Sequence, residues 1–163
     1  MSEVLLRQAT VDDVEAIAEL HTQSWRDHYR GMYADAFLDD EAAADRLEVW
    51  GQRLREPVAE GFTIVAEADG VLVGFAYVIC DEQPKLQNLH VRTDAQRQGV
   101  GSRLVAEVLR TVPRLHVWVR EDNAAARTFY EARGGALAGR ELGGPFADGS
   151  RAPVLCFVWP GDH

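Results

Sequence analysis

The sequence predicts a single domain of the α/β class, and three stretches carry that prediction. Lys85-Leu86-Gln87-Asn88-Leu89-His90-Val91 reads as a strand, Gln96 to Gly101 as a glycine turn, and Leu104, Val105, Val108 and Leu109 recur behind it at helical spacing. Phe62–Glu67 and Val71–Cys80 are apolar runs on either side of Ala68-Asp69-Gly70, the pattern of a β-hairpin. Leu115, Val117 and Val119 share one face of a further strand, which follows the helix that Pro113 ends. At 163 residues the chain can bury a substantial core without staples, and nothing divides residues 1–163 into two domains.

In chain order, Val4–Ala9 opens as a strand. Thr10 and Asp13 form a cap pair for a helix with Val14, Ile17, Ala18, His21 and Trp25 on one face, expected to end near Gly31. A second helical stretch follows Tyr33, with Phe37, Leu38, Ala43, Leu47, Trp50, Gln52 and Leu54 before Pro57 closes it. Trp25, His28, Tyr29, Tyr33 and Trp50 either line a pocket or belong to the core; helical spacing does not separate the two. In the strand 85–91, Leu86 lies in one alternation register and Leu89 and Val91 in the other. Such a slip is what a β-bulge leaves in sequence. Leu115–Val119 turns His116, Trp118 and Arg120 to its second face. Asp122 or Asn123 then caps a short helix through Tyr130, ended by Gly134 and Gly135. A strand near Ala136–Glu141 and a last one at Val154–Trp159 are joined through the segment from Gly143 to Gly149, and no repeat or low-complexity linker interrupts the chain.

The glycine turn carries the first chemistry. Gly99 and Gly101 let a backbone approach a ligand, and the amides that open the next helix bear a partial positive charge. That pairing suits a phosphate or pyrophosphate. No Gly-Lys-Ser/Thr follows, as a nucleotide P-loop requires, and the third glycine of a dinucleotide fingerprint is missing.

Gln96-x-x-Gly99-x-Gly101, after a strand ending Leu89-His90-Val91, resembles the acetyl-CoA signature of the GNAT family of N-acetyltransferases. Asn123-Ala124-Ala125-Ala126-Arg127-Thr128-Phe129-Tyr130, followed by Gly134-Gly135, is similar to the family's second block, and the likeness extends over nearly the whole chain in element order. The resemblance implies a mixed, mostly antiparallel sheet of six to seven strands, splayed at its central parallel pair, with helices on both faces. It also implies acetyl-CoA as donor cosubstrate, with no metal. Leu89, His90 and Val91 would meet the pantetheine arm, through backbone groups at Leu89 and Val91. Gln96, Arg97, Gln98, Gly99, Val100, Gly101 and Ser102 would hold the pyrophosphate, Asn123 would bond the pantetheine or neighbouring backbone, and Arg127 would also contribute to cofactor binding. Tyr130 matches the family's general acid, and the amide near Val91 would meet the oxyanion. A homodimer is a family expectation.

Composition bounds the partners. A net charge of -9 argues against nucleic acid. Residues 1–91 hold 7 basic and 18 acidic side chains, whereas residues 92–133 hold 8 arginines against 5 acids. The basic segment coincides with both motifs and suits the phosphates of CoA; the acidic remainder would draw a cationic amine. Cys80 and Cys156 sit in apolar strand-like runs without metal-ligand spacing, so they read as small buried hydrophobes in a reducing, cytoplasmic setting. The start Met1-Ser2-Glu3-Val4 has no leader pattern, and no apolar run approaches the roughly 18 residues of a membrane span.

Acetyl transfer to an amine requires a deprotonated amine, close placement, oxyanion stabilisation and a proton for the thiolate. A phenol of pKa about 10 stays protonated at neutral pH and can deliver that proton, which fits Tyr130. Asn123 is equally a helix cap. For the base, relatives that acetylate protein N-termini can carry glutamate five residues before the motif asparagine; Trp118 stands there, which counts against that acceptor. Asn88 occupies the place where some relatives carry a base glutamate. Glu82, His90 and His116 remain, and the residues do not choose among them. The expected reaction is direct transfer to a primary amine on a small molecule. The alternatives are a protein lysine or N-terminal acceptor, or a non-catalytic acyl-CoA-binding module.

Overall fold

The computed structural model describes residues 3–28, 35–55, 61–146 and 149–161, with the backbone alone at His28. Seven strands form one sheet in the order β1-β2-β3-β4-β5-β7-β6. They are β1 (Val4–Gln8), β2 (Gly61–Ala68), β3 (Val71–Ile79), β4 (Lys85–Val91), β5 (Arg114–Arg120), β6 (Ala136–Gly143) and β7 (Ala152–Pro160). The helices are α1 (Val14–His28), α2 (Ala42–Arg55), α3 (Val100–Thr111) and α4 (Ala124–Ala132). Every strand pair is antiparallel except β4–β5. The expected helix ends at Gly31 and Pro57 lie outside the described residues.

Strand alternation sends apolar side chains to both faces of the sheet. On one face Leu104, Val105 and Val108 of α3 and Tyr130 of α4 pack with Ile64, Ala76 and Val78. On the other, Val14, Ile17 and Leu20 of α1 and Trp50 of α2 pack with Val65 and Phe75. The cap pair forms as expected: Thr10 N–H donates to Asp13 Oδ2 at 2.8 Å, and Arg7 clasps the same carboxylate through both Nη atoms at 2.8 and 2.9 Å, which ties β1 to α1.

The second helix differs from its expected face. A π-helical turn at Phe37–Glu41 precedes α2, and Leu38, Ala42 and Trp50 are buried while Ala43 and Leu47 are exposed. Spacing by four from Leu38 is the row that meets α1, and Ala43 and Leu47 fall outside it.

Two irregularities shape the middle of the sheet. Tyr77 pairs with Asn88 but its neighbour Val78 pairs with Leu86, so Gln87 is the extra residue of a β-bulge. This brings Leu86, Leu89 and Val91 to one core, resolving the slip in alternation. The parallel pair β4–β5 is in register only at Lys85↔His116, where His116 N–H donates to Pro84 O at 3.0 Å. By contrast β5 pairs with β7 along its whole length, from Arg114↔Pro160 to Arg120↔Val154. Beyond the single rung β4 and β5 part, and the gap opens toward their C-terminal ends.

Candidate active site

The gap is edged by unpaired main chain. In an antiparallel ladder alternate residues turn both N–H and C=O to the same neighbour. Arg92 N–H donates to Val73 O at 2.7 Å, so Arg92, His90 and Asn88 face β3, and Leu89 and Val91 turn their peptide groups to the gap. The carbonyl of Val91 takes a hydrogen bond from Gln96 Nε2 at 3.1 Å. The main chain of His90 is therefore committed to β3, unlike that of its two neighbours.

At the open end lies the glycine turn. Thr93–Ala95 makes a short 3-10 turn, Gln98 Nε2 reaches Asp94 O at 3.4 Å, and Arg97 and Gly99 have φ of 67° and 80°. Gly99 is the N-cap of α3; no side chain caps that helix and no acid occupies its first turn. Its leading amides, from Val100 onward, are left for an anion. Nothing lies within 4 Å of where a Cβ at Gly99 would sit. Gly101 has a different reason to be small. A Cβ there would come within 3.3 Å of the Phe129 ring, so this glycine seats α4 against α3.

The α4 side is fixed by local packing. Asn123 Oδ1 accepts from Ala126 N–H at 3.1 Å, so the cap role is realised and the side-chain amide nitrogen stays available. Gly134 has φ of 94°, and a Cβ at Gly135 would meet Trp159 at 3.0 Å and Tyr130 O at 3.1 Å. Trp159 Nε1 donates to Arg133 O at 3.0 Å, and Tyr130 is held edge-on to Trp159 and Phe129, with centroids 5.9 and 5.2 Å away. Ser102 Oγ accepts from Arg133 Nε at 2.7 Å. Arg127 Nη1 donates to Glu121 O at 3.1 Å, while its buried Nε has no partner among the described residues. Three other arginines of the basic segment are spent on local acids: Arg92 on Asp94, Arg110 on Glu107 and Arg120 on Asp122.

The base candidates separate. Glu82 is exposed in the β3–β4 turn and His116 sits on the closing rung. Both lie at the start of β4, about 20 Å of strand from its open end. His90 alone stands near the opening, on the face that α1 covers. Its Nδ1 lies 2.6 Å from Ser24 Oγ, and its ring centroid is 4.6 Å from that of His21. His21 is fully buried and accepts from Trp50 Nε1 at Nδ1, 2.9 Å away. Its proton is thereby assigned to Nε2, which has no partner among the described residues. Burial first, and the neighbouring His90 second, push the His21 pKa well below its ordinary value. His21 is therefore held in its neutral form.

Ser24 also lines a groove of about 390 Å³ between α1 and the ends of β3 and β4, lined by Leu20, Leu72 and Val91, by Glu19 and Asp27, and by the ion pair of Arg92 with Asp94. Of the aromatics named above, Trp50 is 0% exposed and belongs to the core, whereas Trp25 packs on Phe37 under Arg46. Tyr29, Tyr33 and the side chain of His28 lie outside the described residues. Cys80 and Cys156 are free thiols, and burial raises the pKa of each. No helix of the described residues is long and apolar enough to cross a membrane.

A glycine turn at a helix mouth beside a gap in the sheet agrees with what known proteins show. The model of the acetyltransferase (GNAT) family matches residues 14–135. The chain belongs to the GNAT family. It is an acetyl-CoA-dependent N-acetyltransferase, and acetyl-CoA is its donor. Among curated relatives, the probable N-acetyltransferase Rv2775 of Mycobacterium tuberculosis is 27% identical over 146 residues, covering 85% of this chain and 83% of that protein. The fold matches the PaiA N-acetyltransferase of Thermoplasma acidophilum, solved in complex with coenzyme A, with a TM-score of 0.73 at 17% identity over 94% of this chain and 98% of that one. It also matches YncA of Salmonella typhimurium, solved with acetyl-CoA, with a TM-score of 0.72 at 17% identity over 98% and 95%.

Sequence reasoning missed Ser24 and Arg53, the latter held between Trp50 and Tyr77. Ser24 stands three residues after His21 on α1, and Arg53 three after Trp50 on α2. Only that helical spacing to a buried ring offered a signal.

Proposed function

We propose that this enzyme transfers the acetyl group directly to the primary amine of a small molecule, with Tyr130 as general acid and His90 as general base. The observation that carries the reading is the parting of β4 from β5 after one rung, with the peptide groups of Leu89 and Val91 turned into the opening. The residues present fit the donor. Leu89 and Val91 offer the edge of a strand to an extended pantetheine arm, as added strands are bound elsewhere. The uncapped amides at Gly99, Val100 and Gly101 receive the pyrophosphate, supported by Arg97, the free Nδ2 of Asn123 and the unpaired Nε of Arg127.

Acetyl-CoA supplies a carbonyl activated as a thioester. Against it the Val91 N–H donates to the oxygen as negative charge develops. His90, held through Ser24, accepts the proton of the incoming amine. Tyr130 donates its phenolic proton to the departing sulfur. Neutral His21 behind His90 adds no competing charge. The groove of about 390 Å³ beside Ser24 falls in the size range of small-molecule sites, and Glu19 and Asp27 on its lining suit an ammonium group.

The test is a panel of primary amines, scored by free-thiol release from acetyl-CoA and by the mass of the product, beside lysine-bearing peptides and peptides with free N-termini. Amine-dependent release with small amines is expected. Acetylation confined to peptides would overturn the acceptor class, and donor binding without release for any amine would reduce the protein to a binding module.

A further inference from the structure

We propose that the acceptor amine also carries a carboxylate, bound by Arg53 on the α1–α2 face of β4. This deepens the acetyl-transfer reading and rests on it. Arg53 is a half-buried cation in α2. Its Nη1 donates to Asn88 Oδ1 at 3.0 Å, and its guanidinium carbon lies 4.2 Å from the ring centroid of Tyr77 and 4.7 Å from that of Trp50. Among the described residues no carboxylate pairs with it, and Arg46 sets a like charge against it. In a chain with 26 acidic and 17 basic residues, a half-buried cation without a counter-ion among the described residues is out of keeping with its surroundings. Removing a guanidinium from water costs free energy that ring stacking and one neutral hydrogen bond offset only in part. A carboxylate in the planar five-donor fork would complete the set.

The placement ties this charge to the chemistry. Asn88 and His90 lie two positions apart on β4 and point to the same face, about 7 Å along the strand. Arg53 therefore sits one pleat from the imidazole that receives the amine proton. A cation site one pleat from His90 selects an amine that carries a carboxylate within a few bonds of its nitrogen, which is the chemistry of an amino acid.

The experiment compares amino acids with their carboxamides, pair by pair, as acceptors for the unaltered enzyme and for Arg53→Gln and Arg53→Lys, with acetyl-CoA affinity measured for each protein. The unaltered enzyme should favour the acid by about tenfold or more in kcat/KM, chiefly through KM. Arg53→Gln should bring the ratio near one, and Arg53→Lys should restore part of it. Equal handling of acid and carboxamide by the unaltered enzyme overturns the proposal, as does a preference that survives in Arg53→Gln. Calorimetry with the CoA-loaded protein separates this from the transfer reading. Amino-acid binding lost in Arg53→Gln supports the subsite even where no acetyl group moves. Acetylation of neutral amines alone overturns the subsite and leaves the transferase standing.

Discussion

Along the gap-facing edge of β4 the exposed chemistry is main chain, the peptide groups of Leu89 and Val91 and the amides that open α3, whereas on the α1–α2 face it is side chains: His21, Ser24, His90, Arg53. The two regions use different materials because they meet different demands. A pyrophosphate and an extended arm offer repeating polar groups that peptide units match, and such a site leaves its mark in the residues that must be absent, Gly99 above all. In the proposed reading the α1–α2 face holds titratable groups in one geometry for the amine, with ordinary helix residues that the fold brings to β4 from far along the chain.

That contrast can be tested, beginning with the largest effect. Tyr130→Phe should lower kcat by about 10² to 10⁴ while leaving acetyl-CoA affinity within a few-fold, since only a proton donor is removed. Single-turnover kinetics beside calorimetry check this, and an unchanged chemical rate would remove the role. His90→Gln should lower kcat by about 10² or more at neutral pH, with part of the rate returning as pH rises and more amine arrives deprotonated; Ser24→Ala should show the same trend more weakly. A pH–rate profile decides it, and a profile identical to that of the unaltered enzyme would exclude His90.

Gly99→Val sharpens the donor side. A β-branched residue is strained at φ of 80°, and its side chain would enter the space left open before α3, so acetyl-CoA affinity should fall tenfold or more. Gly101→Val should act differently, by displacing Phe129 and with it α4, and so lower the melting temperature as well as affinity. Equal melting temperatures for the two variants would contradict that division.

Smaller effects belong to stability. The pKa of His21 is depressed in the folded state, so below its ordinary value of 6.5 the unfolded chain binds a proton that the native chain does not. Stability should therefore fall as pH drops from about 7 to 5, by up to about 1.4 kcal/mol per pH unit from this group, and His21→Gln should flatten that part of the curve in denaturant titrations. Asp13 behaves as a carboxylate whose pKa Arg7 lowers. Its contribution is present above its ordinary value of 3.8 and is lost as pH falls through the lower folded value. Because Arg7 is 37% exposed, Arg7→Gln should cost no more than about 1 kcal/mol at neutral pH, read from the same titrations.

The sequence exposes these regions unequally, for physical reasons. The slip between Leu86 and Leu89 was legible because a bulge inverts alternation, and the structure places it at Gln87. The glycine turn was legible because positive φ and close backbone approach exclude other residues. The reason for Gly101 was not, since the ring it clears belongs to Phe129, a partner set by folding. Leu47 was assigned to the buried row of α2 yet is 44% exposed, because one apolar residue beside a four-residue row does not fix its rotation. The base candidates were equal in sequence and unequal in space, as distance from the opening depends on strand direction. Ser24 and Arg53 carried no signal of their own: serine and arginine are common on helices, and only their approach to His90 and Asn88 singles them out.

The lone rung at Lys85↔His116 gives the molecule a mechanical property. The sheet is two slabs, β1–β4 and β5–β7–β6, stitched at one end, and a bound donor strand would act as the missing thread between them. In the proposed reading each catalytic cycle would finish by unpicking that seam, tying the speed at which spent coenzyme leaves to the stiffness of the whole sheet.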